Sequence, residues 1–244
     1  MEESVSEATL HADSSEQDVI AHIQQQLDQL KAERGTLRVL EAGCGSASVL
    51  RFGDDDWMAG IDISEEQLAR NTRLNEAILG DICAYELEDE GFDVIVCWNV
   101  LEHLDKPDLA VLNFARALKP GGLLLLALPN VYSFQGAVVR FSPHWFHVWF
   151  VRNIFGRTWA GRDGKGPFPT FLRRSASPLS MARFPERSAL KLSWSLLYEG
   201  NQQTRFRRKY PVLSPFFRSL DVVDRLTGDA VQPRLSASAF IFTK

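Results

Sequence analysis

Residues 37–47 read Leu37-Arg38-Val39-Leu40-Glu41-Ala42-Gly43-Cys44-Gly45-Ser46-Ala47. The first six form a short apolar run of strand type. The Gly-x-Gly after them lets the backbone approach a ligand closely where the strand ends and a helix is expected to begin. Such a turn also serves plain strand-to-helix connections. Its meaning therefore depends on what stands at the tips of the neighbouring strands.

Working outward, the same rhythm recurs. Residues 58–63, 77–79, 93–97 and 122–128 read as further strands, and residues 190–197 and 238–242 as a sixth and a closing seventh. Between them lie helical patterns. Ser14 or Ser15 caps a helix with apolar positions Val19, Ile20, Ile23, Leu27 and Leu30, which Gly35 ends. Ser64-Glu65-Glu66-Gln67 is a capping box, and a helix over 109–118 stops at Lys119-Pro120-Gly121. A last helix is expected over 214–226. Near-continuous apolar strands alternating with helices predict a mostly parallel sheet covered on both faces. Residues 1–34 read as a tail, frayed to about residue 13, and a helix, and residues 35–244 as one domain. Within it, residues 131–187 are rich in aromatics, Arg, Pro and Gly. A connection of that length is expected to carry helices of its own, here near 133–140 and 143–155.

Composition narrows the classes. The chain has 244 residues, 45% hydrophobic and 24% charged, which suits an α/β domain and excludes disordered, collagenous and coiled-coil chains. The longest apolar run, residues 123–128, is far short of the ~20 residues of a spanning helix. An acidic first segment, Met1-Glu2-Glu3-Ser4-Val5-Ser6-Glu7, reads as neither a secretory signal nor a transit peptide, so a cytoplasmic location is expected. Cys44, Cys83 and Cys97 lack paired spacing and read as reduced core thiols. Charge is segregated: residues 1–131 carry 9 Lys/Arg against 25 Asp/Glu, residues 132–244 carry 18 against 6. The split fits an anionic partner for the basic half or two halves that neutralise each other.

Two acids sharpen the Gly-x-Gly. Asp62 ends the second strand 21 positions after Glu41, where a carboxylate accepts both hydroxyl hydrogens of a ribose. Asp81, in Gly80-Asp81-Ile82, ends the third. A dinucleotide would call for a third glycine at position 48, which is Ser48. Glu41 beside the first glycine is also wrong for a polyanion. It suits a cationic or amino-bearing ligand, a nucleoside carrying an aminoacyl-sulfonium group.

With these pieces the sequence resembles the class I S-adenosylmethionine-dependent methyltransferases, in the small-molecule branch related to ubiquinone-type O-methyltransferases. The matching stretches are residues 39–45, Gly60-Ile61-Asp62-Ile63-Ser64, Gly80-Asp81-Ile82, residues 92–104 with Asn99-Val100-Leu101-Glu102-His103-Leu104, and Leu118-Lys119-Pro120-Gly121-Gly122. The resemblance implies a Rossmann-like, doubly wound, mostly parallel seven-stranded α/β sheet, with residues 131–187 as a helical lid between strands five and six. It implies S-adenosyl-L-methionine as cofactor, with Gly43 and Gly45 facing its methionine part, Asp62 the ribose and Asp81 with Ile82 the adenine. Glu41, Cys44, Ile63 and Asn99 complete the expected cofactor-binding set. One departure is Ala47, where the family often has a further glycine. A degenerate domain that keeps the fold without the ligand is the alternative.

Methyl transfer to a hydroxyl is an in-line displacement that often uses a base, and histidine is the natural one near neutral pH. The candidates are His103, after the fourth strand, and His144 with His147, which share a helical face. No acid stands near that pair, and no metal site is expected. Phe141, Trp145, Phe146, Trp149, Phe150, Phe155 and Trp159 fall within 19 residues. They read as a lid packing on the sheet, an apolar acceptor pocket, or a segment touching a membrane surface. Arg152, Arg157, Arg162, Lys165, Arg173 and Arg174 suit phosphate, carboxylate or lipid head groups, or a solvated face. The basic run Arg205, Arg207, Arg208 and Lys209 raises nucleic acid, but the fourth strand ends in Cys97-Trp98-Asn99-Val100 and no recognition module follows, so no nucleic-acid partner is expected. The leading expectation is O-methylation of a small-molecule acceptor: a secondary metabolite, a sugar, or an anionic or lipid-linked hydroxyl. A non-catalytic cofactor- or lipid-binding module and an RNA or protein methyltransferase are the alternatives.

Overall fold

The computed structural model describes residues 14–162, 166–226 and 232–244. The tail expected at 1–13 and the basic residue Lys165 lie outside them. Helix α1, Glu16–Arg34, begins at Ser15, whose hydroxyl accepts from Asp18 N at 3.2 Å while Asp18 Oδ2 accepts from Ser15 N at 2.8 Å. Two orphan donors of the first turn are thereby satisfied. The helix stops at Gly35, which adopts φ +78° and returns its N–H to Lys31 O at 2.8 Å.

Seven strands form one sheet in the order β3-β2-β1-β4-β5-β7-β6. They are β1 Arg38–Ala42, β2 Trp57–Asp62, β3 Glu76–Leu79, β4 Phe92–Trp98, β5 Leu118–Pro129, β6 Lys191–Tyr198 and β7 Ala237–Thr243. The first five pair in parallel, while β7 runs antiparallel to both neighbours. Strand order reverses between β1 and β4, so the crevice beyond their carboxyl ends is the natural ligand position of an open α/β sheet.

Helices cover both faces, as a doubly wound sheet requires. Val19, Ile23, Leu27 and Leu30 of α1 pack with Val39, Met58, Val94 and Leu125 on one side. Helix α2, Glu65–Arg70, follows β2. On the other side, α3, Pro107–Ala117, buries Ala110, Val111 and Phe114 against Leu40, Ile95, Leu124 and Leu126.

Local differences from the sequence reading have physical causes. No helix follows Gly43-Cys44-Gly45: residues 43–56 contain none. Gln24 of α1 instead donates to Arg51 O and accepts from Arg51 N, each at 2.9 Å, so an extended backbone is satisfied without helical bonds. Lys31 then pins Asp55 and Asp56 at 2.7 Å each. Strand β5 starts at Leu118, before Lys119-Pro120-Gly121; the ladder with β4 jumps from Phe92↔Leu118 to Val94↔Leu123, which makes the Pro-Gly segment a bulge.

Between β5 and β6 lie α4, Phe134–Phe141, capped by Ser133, α5, His144–Asn153, and the short α6, Pro178–Ala182. After β6 come α7, Asn201–Lys209, and α8, Ser214–Leu226. Helices α6 and α7 are absent from the sequence reading because neither carries a long apolar stripe. Among the described residues no helix is long and apolar enough to cross a membrane.

Candidate functional site

The site is assembled at the carboxyl tips of β1, β2, β3 and β4. Gly43 leaves β1 with φ +69°, and its N–H donates to Ile61 O at 2.8 Å, which ties the turn to β2. A Cβ at Gly43 would lie 2.4 Å from Val100 Cγ2, so only glycine lets the turn pass the residues beyond β4. Gly45, at φ +50°, differs: a Cβ there would meet nothing within 4 Å, which marks open space above the turn.

Asp62 is held beside that space. Gly45 N donates to its Oδ2 and Ser64 N to its Oδ1, both at 2.9 Å. Each carboxylate oxygen retains acceptor capacity, enough for two vicinal hydroxyls. Ile63, the next residue, is 79% exposed, an apolar side chain at a strand tip with no role in the core. Asp81 is exposed beyond β3 and accepts from Cys83 N at 2.8 Å, whereas Ile82 turns its side chain into the core. Asn99 is exposed just past β4 with φ +54°, its N–H bonded to Ala127 O at 2.8 Å.

Behind this edge Glu41 is buried in β1, and burial raises its carboxyl above the ordinary range while the Ser48 hydroxyl pulls it back. Cys44 is buried and its thiol pushed up to about 12, chiefly by burial. All three cysteines are free. The thiol of Cys44 packs over Gly60, where a Cβ would approach its Sγ to 2.7 Å.

A second group stands on the 3-10 turn Leu101–His103 directly after β4. His103 Nδ1 lies 2.7 Å from the carbonyl oxygen of Pro169. A carbonyl only accepts, so Nδ1 carries the proton and Nε2 keeps the lone pair. Burial holds His103 below the ordinary histidine range, against the opposing bond to Pro169. Its Nε2 is 4.0 Å from Glu102 Oε1. Glu102 is buried, its carboxyl pushed up to about 8 by burial, and its Oε2 has no hydrogen-bond partner. The backbone oxygen of Glu102 accepts from Phe171 N at 2.8 Å and Leu172 N at 3.3 Å, and Arg173 pairs with Asp105. The 168–173 segment is thus stapled onto the turn that carries His103.

His144 and His147 stand together on α5, rings 6.2 Å apart, with His147 Nε2 2.7 Å from Ser142 Oγ. Burial and the neighbouring His144 lower the pKa of His147. His144 is exposed. The aromatic contacts of α5 run to α7 through Phe150 and Phe206, 5.8 Å apart. The structure therefore gathers Gly43, Gly45, Asp62, Ile63, Asp81, Asn99 and His103 along one edge, with Glu41 and Cys44 behind it, and holds His144 and His147 on α5. Sequence reasoning missed Glu102 and Pro169. The first hid inside a familiar Leu-Glu-His; the second is 66 residues from its partner, and no local signal marks it.

Fold and edge together resemble those of the class I S-adenosylmethionine-dependent methyltransferases. Residues 40–126 match the family model described as Methyltransferase domain. The chain is 33% identical over 108 residues to the mitochondrial ubiquinone biosynthesis O-methyltransferase of Candida albicans, covering 39% of this chain and 33% of that one. It is 32% identical over 132 residues to the ubiquinone biosynthesis O-methyltransferase of Hahella chejuensis, covering 46% and 55%. The chain thus spans between a third and about half the length of these relatives. Among solved structures, an S-adenosylmethionine-dependent methyltransferase from Mesorhizobium loti aligns over 90% of this chain and 97% of its own with TM-score 0.51 and 15% identity. The [4+2]-cyclase SpnF aligns over 96% and 85% with TM-score 0.54 and 16% identity. At that identity these two share the fold, and the fold alone does not fix a reaction.

The residues present fit the cofactor. The open space over Gly45 admits a chain, Asp62 offers two oriented acceptors, and exposed Ile63 offers an apolar surface for a flat base.

Proposed function

We propose that this chain transfers a methyl group from S-adenosyl-L-methionine to an oxygen of a small-molecule acceptor. The observation that carries the reading is the junction of Gly45 and Asp62, an oriented carboxylate facing the open side of a glycine turn. The cofactor supplies an electrophilic sulfonium methyl. In this reading Asp62 takes the ribose hydroxyls, Asp81 and Ile63 frame the adenine, and Gly43 and Gly45 leave room for the methionine part near Asn99. Glu41 and Cys44 support the turn from behind.

His103 is the base in this reading. Its tautomer is set by Pro169, its burial keeps it neutral, and Nε2 is the free acceptor, the arrangement in which a histidine removes a hydroxyl proton while a second group orients it. Oxygen as the target draws on the relatives, which are O-methyltransferases by name. Arg174, exposed just after the stapled segment, favours an acceptor bearing phosphate or carboxylate.

Untargeted mass spectrometry of extract incubated with the chain and cofactor tests the reading. The expected result is a metabolite heavier by one CH2, absent without the chain. Cofactor binding by titration with no methylated product from any extract would instead support a non-catalytic binding module.

A further inference from the structure

Helix α5 has no buried residue, although four of its ten residues are Trp or Phe. Trp145 is 68% and Trp149 48% exposed, and Phe141, just before the helix, is 83% exposed. Exposed tryptophans crowded on one helix are not ordinary surface, and a contiguous apolar patch marks an interaction site.

The patch is broader than one helix. Phe150 meets Phe206 at 5.8 Å, joining α5 to α7, and Phe134 meets Phe216 at 4.8 Å, joining α4 to α8. Arg207 of α7 lies over Phe217 of α8 at 5.8 Å. Helix α8 also exposes Val222, 52%, and Leu226, 81%. Around the apolar side chains basic residues prevail: helices α4, α5, α7 and α8 carry eight Lys/Arg against Asp221 and Asp224 of α8. Residues 132–244 hold 18 Lys/Arg against 6 Asp/Glu. Helix α7 contains no acid, and its Arg205 and Arg208 are exposed.

We propose that the α4–α5–α7–α8 layer docks on the surface of an anionic lipid bilayer. Trp145 and Trp149 enter the headgroup region with α5 lying in the plane, and Arg205 and Arg208 meet lipid phosphates. A second copy of the chain fits this face poorly, because a two-fold contact would set basic α7 against basic α7. A nucleic acid would answer the arginines but leave aliphatic Leu226 and Val222 without a partner. The inference is independent of the methyl-transfer reading, and its test measures binding alone.

The full chain is mixed with phosphatidylcholine vesicles, with and without about one-third phosphatidylglycerol, and floated on a density gradient at low and high salt. Flotation with the anionic vesicles, weakened by salt, is expected, with tryptophan emission quenched by brominated lipid. The Trp145→Ser/Trp149→Ser pair is expected to weaken binding about tenfold or more, and so is the Arg205→Gln/Arg208→Gln pair. Thermal melts identify any misfolded pair, and the other pair then decides. No flotation, flotation indifferent to the folded pairs, or light scattering that shows a dimer dissolved by Trp145→Ser each overturns the proposal.

Discussion

The backbone N–H of Gly45 donates to Oδ2 of Asp62 across 2.9 Å, and this bond joins the turn after β1 to the tip of β2. One carboxylate thereby both fixes the glycine turn and faces the space above it. Replacing Asp62 with Ala removes charged acceptors for two hydroxyls and frees Gly45. Titration with S-adenosyl-L-methionine is expected to show affinity lower by roughly 1–3 kcal/mol. Unchanged affinity would remove the nucleoside assignment.

Gly43 tests the turn itself. A Cβ there collides with Val100 at 2.4 Å, and φ +69° strains any residue but glycine. Gly43→Val is therefore expected to lower both thermal stability and cofactor binding, with a backbone contribution alone of about 1–2 kcal/mol. Adding Val100→Ala should recover the steric part and leave the conformational part, a split visible in thermal melts of the two single variants and the double.

Much of this was legible in the chain. Seven strands follow from apolar runs, Asp62 from its spacing after Glu41, and Asp81 from its place at the end of the third run. Helix α1 was readable from Ser15 and the apolar stripe Val19 to Leu30. What failed depends on distant partners. The expected helix after Gly45 is absent because Gln24, 27 positions before Arg51, satisfies that backbone. Glu102 and Pro169 acquire meaning only where residues 168–173 return to the turn after β4, and nothing in local periodicity records that return.

Glu102 makes stability depend on pH. Its carboxyl sits near 8 in the folded chain, against 4.5 as the ordinary value, through burial. Between those values the unfolded chain releases a proton that the folded chain retains, so the unfolded state gains and stability falls as pH rises through that window. Glu102→Gln, neutral at every pH, is expected to flatten the fall. Thermal melts at several pH values check it, and an equal slope in both proteins would contradict the assignment.

Residues 131–187 are expected to act as a cover over the acceptor, pinned where Phe171 and Leu172 bond to Glu102. A cover of this kind excludes water and aligns reactants. Hydrogen exchange in this segment should slow when S-adenosylhomocysteine and acceptor are both bound. Equal exchange with and without them would argue for a fixed wall.

The choice of base is the sharpest question the site poses, since three histidines compete for it. His103 donates from Nδ1 to Pro169 and keeps Nε2 unprotonated, whereas His147 spends Nε2 on Ser142 and His144 stands exposed on α5. His103→Gln retains a donor for Pro169 but cannot accept a proton at neutral pH. Turnover is therefore expected to fall about 10²-fold or more with cofactor affinity intact, while His144→Gln and His147→Gln change it far less. A packing role for His103 predicts the opposite pattern, lower stability with turnover retained in the folded fraction. The pH profile separates the two independently. Burial lowers the pKa of His103, so activity should rise with pH at values below the ordinary histidine midpoint of about 6.5 and be level at neutrality. A loss of turnover confined to His144→Gln would move the base to α5.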